Sequence, residues 1–218
     1  MTADANRKAG AGRWLAGALC GVVAIAASGC SILGGSKEPM TVYSPEPAVQ
    51  VDPAWPAADW QLTIDRPEAG RLLDGTRIAV RPSPGELQVY KGASWARSPA
   101  DQLEDAVLRS LEDSGRLRGV ARQGAGIAAD YALAMELRRF DSDYAGAPLP
   151  TAVVEVSAKL ISGDRSVVAS RVFVQRMRAP ATDAAAVSDT LGRALAQVAH
   201  DIDGWVLASG NAARASKR

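Results

Sequence analysis

Two stretches in the second half of the chain alternate with a period of two, and they narrow the possible folds more than any other feature. Tyr131, Leu133, Met135 and Leu137 alternate with Ala132, Ala134, Glu136 and Arg138, and Val154, Val156, Ala158 and Leu160 repeat the pattern. Successive strand side chains point to opposite faces, so each stretch reads as a half-buried strand. Ser162, Gly163, Asp164 and Arg165 then read as a hairpin turn, with the glycine available for a positive φ. A further strand runs from Val167 to about Met177. Upstream, Gln61 to Ile64, Thr76 to Val80 and Glu86 to Tyr90 read as shorter strands, the second stopped by Pro82 and Pro84.

Two helices complete the pattern. Ser98, Pro99 and Asp101 predict a helix start, with serine as the N-cap, proline in the first position and Asp101 reaching back as a capping-box acid. Leu103, Val107 and Leu111 follow at spacings of four, and Gly115 supplies a stop. The acids at 104, 105, 112 and 113 read as the solvated face of this helix. Near the C-terminus, Val187, Leu191, Leu195, Val198 and Ile202 mark an amphipathic helix that starts near Thr182 or Asp183. The expectation is an α+β sandwich of two layers, a mostly antiparallel or mixed sheet of five to six strands carrying two helices.

The beginning of the chain has a different character. Arg7, Lys8 and Arg13 precede fourteen uncharged residues from Trp14 to Ala27, and Ala27, Ser28 and Gly29 lead to Cys30. A basic head, a short apolar run and small residues form the layout of a secretory signal, too short for a comfortable membrane span. The four residues Ala27 to Cys30 resemble the lipobox of bacterial lipoproteins, with Ala27 where leucine is usual. On that reading residues 1–29 are removed, Cys20 leaves with them, and Cys30 becomes the acylated first residue of the mature chain. An ordinary cleaved signal and an uncleaved anchor are the alternatives.

Residues 30–58 contain five prolines and no sustained apolar period, and so read as a flexible tether. The folded domain is expected at 59–208, with a loose tail at 209–218. The whole chain carries 25 basic and 24 acidic residues, and without the signal these become 22 and 23. No basic stripe is visible, which argues against nucleic acid as a partner.

Site chemistry is sparse. The chain has one histidine, His200, which falls on the helical face of Arg193 and Gln197, opposite the apolar stripe, and reads as a surface residue. There is no nucleophile elbow, no pair of metal-binding histidines and no phosphate loop, so neither catalysis, metal nor cofactor is expected. Gly124, Gly126 and Ala129 match the spacing of a dinucleotide fingerprint. The clean alternation that begins at Tyr131 favours a glycine-rich loop there.

Several features stand in a recognisable order: Ile78 to Pro82, then Tyr90, Trp95, Pro99, Leu103, Val107, Leu111 and Gly115, a later hairpin with Ser170 and Phe173, and a last helix ending near Trp205. Over about residues 60–207 this order resembles the ABC-type transport auxiliary lipoproteins, the group that includes paraquat-inducible protein C. The resemblance implies a non-enzymatic, lipid-anchored periplasmic subunit, facing the periplasm from the outer membrane. It would serve an intermembrane lipid transport system beside a mammalian-cell-entry (MCE) type protein and an ABC permease and ATPase. Some such proteins form homo-oligomeric rings. A structural envelope lipoprotein without a transport role is the alternative. Tyr90 and Trp95, just before the first helix, are read either as core packing or as contacts to a partner or cargo.

Overall fold

The computed structural model describes residues 39–216. Its centre is the 13-residue strand β7 (Tyr131–Asp143). Antiparallel to it along its whole length lies β8 (Thr151–Ser162), and β9 (Val167–Arg178) pairs antiparallel with β8 in turn. The other side of β7 is shared by three strands that run parallel to it. These are β2 (Ala58–Ile64) at Tyr131 to Leu133, β3 (Glu68–Ala69) at Glu136 and Leu137, and β4 (Arg77–Arg81) at Asp141 to Asp143. Beyond β2 lies the parallel strand β6 (Leu117–Arg122). Beyond β4 lies the antiparallel β5 (Gln88–Trp95), followed by the parallel β1 (Thr41–Tyr43). The sheet is therefore mixed, as expected, but has nine strands rather than five or six. Strands of two or three residues, such as β3 and β1, pair through backbone alone and are too short to show a period.

Helix α1 (Pro99–Ser114) has the predicted ends. The Ser98 hydroxyl accepts from the Asp101 N–H at 3.2 Å, and Gly115 takes the left-handed conformation at φ 58° with its N–H on the Glu112 carbonyl. The cap is one-sided, because the Asp101 carboxylate pairs with Arg66 at 3.2 Å instead of reaching back. Glu104 and Asp105 also depart from the expected solvated face. Glu104 is buried and accepts from Arg122 Nε at 2.9 Å, while Asp105 pairs with Arg97 and Arg122. Both arginines come from outside the helix, so its own periodicity carries no trace of them.

The inward faces of the sheet and helices share one core. Val154, Val156, Ala158 and Leu160 of β8 meet Leu103, Val107 and Leu111 of α1 and the apolar stripe of helix α2 (Ala184–Ala215) in a single cluster. Full burial of a large apolar side chain contributes roughly 1.5–3 kcal/mol, so this cluster is the main source of stability. In the β8–β9 turn the positive φ falls on Arg165, at 67°, and not on Gly163. The Asp164 carboxylate holds that geometry by accepting from the Ser166 N–H at 3.0 Å and from the Ser166 hydroxyl at 2.7 Å.

Both expected ends of the domain move outward. Helix α2 begins at its Asp183 cap and continues to Ala215, well past Ala208. Its last turns are held by polar contacts. Asn211 accepts from Trp60 Nε1 at 2.8 Å and donates to the Ala57 carbonyl at 2.9 Å, and Arg214 pairs with Asp59 and Asp130. At the other end, the stretch from Thr41 onward is part of the folded unit rather than tether.

Candidate functional site

Leaving β1, the chain crosses the helix layer as a strap, Tyr43 to Gln50, that lies over α1 on one side and α2 on the other. Prolines at 45 and 47 suit this extended course, since they fix φ and need no backbone donor. Close approach is possible because α2 carries glycine beneath the segment: a Cβ at Gly192 would lie 2.8 Å from Pro45 Cβ, and one at Gly204 would lie 2.8 Å from Trp55 Nε1. Trp55 packs on the His200 ring with centroids 5.0 Å apart, and His200 Nδ1 donates to the Gln50 carbonyl at 2.9 Å. His200 therefore holds the strap and is not fully solvated.

The strap leaves a groove on each side. That against α2 encloses about 580 Å³ and is lined by Tyr43, Pro45, Ser188, Arg193, Gln197 and His200, among others. That against α1 encloses about 460 Å³, with Gln102, Arg109 and Ser110 along its wall. Behind Ser110 sits Asp203, completely buried between the two helices. Burial pushes its carboxyl well above the usual range. Ser110 Oγ lies within hydrogen-bond distance of Asp203 and of the carbonyls of Ala106, at 2.8 Å, and Val107, at 3.2 Å, and its one proton can serve only one of them at a time. A neutral Asp203 can donate to Ser110 Oγ and leave that proton to a carbonyl, whereas a carboxylate would compete with the carbonyls for it.

Among the described residues no group of three or more histidine, cysteine or acidic side chains is placed to hold a metal, and no helix is long and apolar enough to cross a membrane. Gly124 and Gly126 have φ of 85° and 79° in the loop joining β6 to β7. No helix follows them, so the N-terminal dipole that a pyrophosphate requires is missing from the fingerprint.

The structure separates the two aromatic candidates. Trp95 ends β5 inside the core, 2% exposed and edge-on to Phe140 at 5.6 Å. It packs beneath the start of α1 and offers no surface to a partner in this conformation. Tyr90 is half-buried on the same strand, with its hydroxyl 3.2 Å from Ser142 Oγ. Burial pushes its phenol up to about 12. Cys30 lies outside the described residues. The strap and its grooves were missed at the sequence level because a proline-rich run shows no apolar period. The glycines within an otherwise apolar helix were the available signal, since each costs about 1 kcal/mol against alanine and so requires a packing reason.

No curated protein matches the chain significantly. Among solved structures, a DUF330-family protein from Xanthomonas campestris is similar at 47% identity, with a TM-score of 0.77, covering 82% of this chain and 99% of its own. An uncharacterized protein of known structure shares the fold at 15% identity and a TM-score of 0.60, covering 78% of this chain and 99% of its own. Residues 41–203, well over half the chain, match the ABC-type transport auxiliary lipoprotein component. That match begins at β1 and includes the strap, both grooves and the Asp203 pair. The chain belongs to the ABC-type transport auxiliary lipoprotein family.

Proposed function

We propose that this protein is a lipid-anchored periplasmic auxiliary subunit of an MCE-associated intermembrane lipid transport system, held at the outer membrane through Cys30. The observation that carries the reading is the family match across the folded domain, residues 41–203. The fold supports a role in docking and scaffolding, because its polar clusters are spent on holding the strap and the helix pair together. Eleven residue steps separate Cys30 from Thr41, a span of at most about 40 Å even if fully extended. The domain would work close to the membrane that holds its anchor.

The test is affinity capture of the tagged full-length protein from cells, together with phospholipid distribution and detergent sensitivity in a deletion strain. Recovery of an MCE-type protein or the ABC permease and ATPase, with altered lipid distribution on deletion, is the expected result. Unchanged lipid distribution and detergent resistance, with no such partner recovered, would overturn the transport role and leave a structural envelope lipoprotein.

A further inference from the structure

The groove between the strap and α1 is lined by charged groups, some of them without a partner. Asp105, Arg109 and Asp113 line it from α1 at four-residue spacing, and the strap adds Glu46. On a helix, an acid four residues before a base makes the better pair, and the reverse order the poorer one. Asp105 is placed to be that partner for Arg109, but both its oxygens are taken. Oδ2 pairs with Arg97 and Oδ1 with Arg122. Asp113 stands on the poorer side of Arg109. Among the described residues Arg109, Asp113 and Glu46 form no ion pair.

The wall of the groove also holds an unsatisfied acceptor. Gln102 lies two turns before Arg109 on α1 and is only 7% exposed. Its Nε2 donates to the Arg97 carbonyl at 2.9 Å, which fixes the amide's orientation. Its Oε1 is buried with no hydrogen-bond partner. Buried polar atoms are nearly always paired, so this one calls for a donor that the chain does not supply.

We propose that this groove binds a phosphoethanolamine group, with the phosphate on Arg109 and the primary ammonium beside Gln102 and Glu46. A guanidinium matches phosphate geometry, and an ammonium brings three donors to an amide oxygen and a carboxylate. A helical side chain leans toward the N-terminus, so the Arg109 guanidinium can span much of the two turns, about 10 Å, back to Gln102. The groove, about 460 Å³, takes a headgroup and not a whole lipid. Related headgroups fit poorly: a trimethylated ammonium has no N–H for Gln102, and a glycerol headgroup has no cation for Glu46. The preference for phosphate over another anion rests on the lipid transport reading, whereas the call for an anion beside an ammonium rests on the groove alone.

The test is calorimetric titration of the full-length protein in dodecyl maltoside with glycerophosphoethanolamine, glycerophosphocholine and glycerophosphoglycerol. We expect saturable binding of the ethanolamine compound, and binding weaker by roughly tenfold or more for the other two. Arg109→Gln should weaken all binding, and Glu46→Gln should erase the preference for ethanolamine over glycerol. Both residues are exposed, and an unchanged melting curve verifies each variant's fold. Dihexanoyl phosphatidylethanolamine in the same detergent separates the sources. Tighter binding than the headgroup alone identifies a lipid, and equal binding a soluble phosphoethanolamine. No saturable binding, equal binding of the three headgroups, or an unaffected Arg109→Gln variant would overturn the proposal. Those results would leave the deletion phenotypes of the transport reading untouched, and binding retained without such phenotypes would fail the transport reading alone.

Discussion

Replacing Gly210 by alanine tests whether the long C-terminal helix is built around Trp60. On propensity alone, alanine in a helix interior gains about 1 kcal/mol over glycine. The packing opposes this. A Cβ at position 210 would lie 2.3 Å from Trp60 Cζ2, 2.8 Å from Cε2 and 2.9 Å from Cη2. Carbon atoms rest at about 3.5–4.0 Å, so ring or helix has to move by more than about 1 Å. The ring is poorly placed to move. Trp60 is fully buried, its Nε1 donates to Asn211 at 2.8 Å, and Tyr131 packs edge-on to it at 5.1 Å while donating to the Gly210 carbonyl at 3.3 Å.

Overpacking of this kind costs roughly 1–3 kcal/mol, and a weakened indole hydrogen bond adds about 1. Against the propensity gain, the net loss is about 2 kcal/mol, or roughly 4–8 °C in Tm for a domain of this size. Gly192→Ala supplies the contrast, because its Cβ meets only Pro45 at 2.8 Å, a half-buried proline and not a fully buried, hydrogen-bonded indole. That variant should melt within a degree or two of the parent. Thermal unfolding followed by circular dichroism of the two variants gives the answer. A Gly210→Ala Tm equal to or above the parent's, or an equal loss for Gly192→Ala, would refute the reasoning.

Three further outcomes are expected. Asp203 has a raised carboxyl in the folded state, so that state binds more protons than the unfolded chain between the ordinary aspartate range and the raised value. Its stabilising contribution is complete below the unfolded pKa and is lost as pH rises through this window. Asp203→Asn keeps a donor to Ser110 and should remove that dependence, so the parent-minus-variant difference in unfolding free energy must fall as pH rises above the ordinary aspartate range; a flat difference would show that Asp203 is not held neutral. Trp95→Ala should cost roughly 3–5 kcal/mol, the range for emptying a buried aromatic site, as measured by urea unfolding; near-parent stability would return Trp95 to the surface candidates. Labelling cells with a palmitate analogue should mark the parent and not Cys30→Ala, and equal labelling would remove the anchor.

The features legible in the sequence have local or periodic causes. Ser98 and Gly115 mark α1 because capping is chemistry among neighbours in the chain, and the β7, β8 and β9 pattern repeats every second residue. The Glu104 and Asp105 pairs failed the same treatment for a physical reason. Charged residues on a helix look solvated until an arginine from outside it, Arg122 of β6, is brought against them. Likewise the last turns of α2 lack apolar spacing, and are fixed by Trp60 and Arg214, which reach partners far away in sequence.

The strap is the hardest case. Composition judged residues 30–58 by what they could bury themselves, and by that measure they stay loose. From Tyr43 onward they instead use surface that α2 leaves open: Gly192 admits Pro45, Gly204 admits Trp55, and His200 ties down Gln50. The entropy of ordering this segment is offset by notches written far away in the sequence. That couples the N-terminal end of the folded unit to α2, the helix that also covers β8 and β9. A substitution at Gly204 that displaced Trp55 would consequently loosen the hold of α2 on this segment.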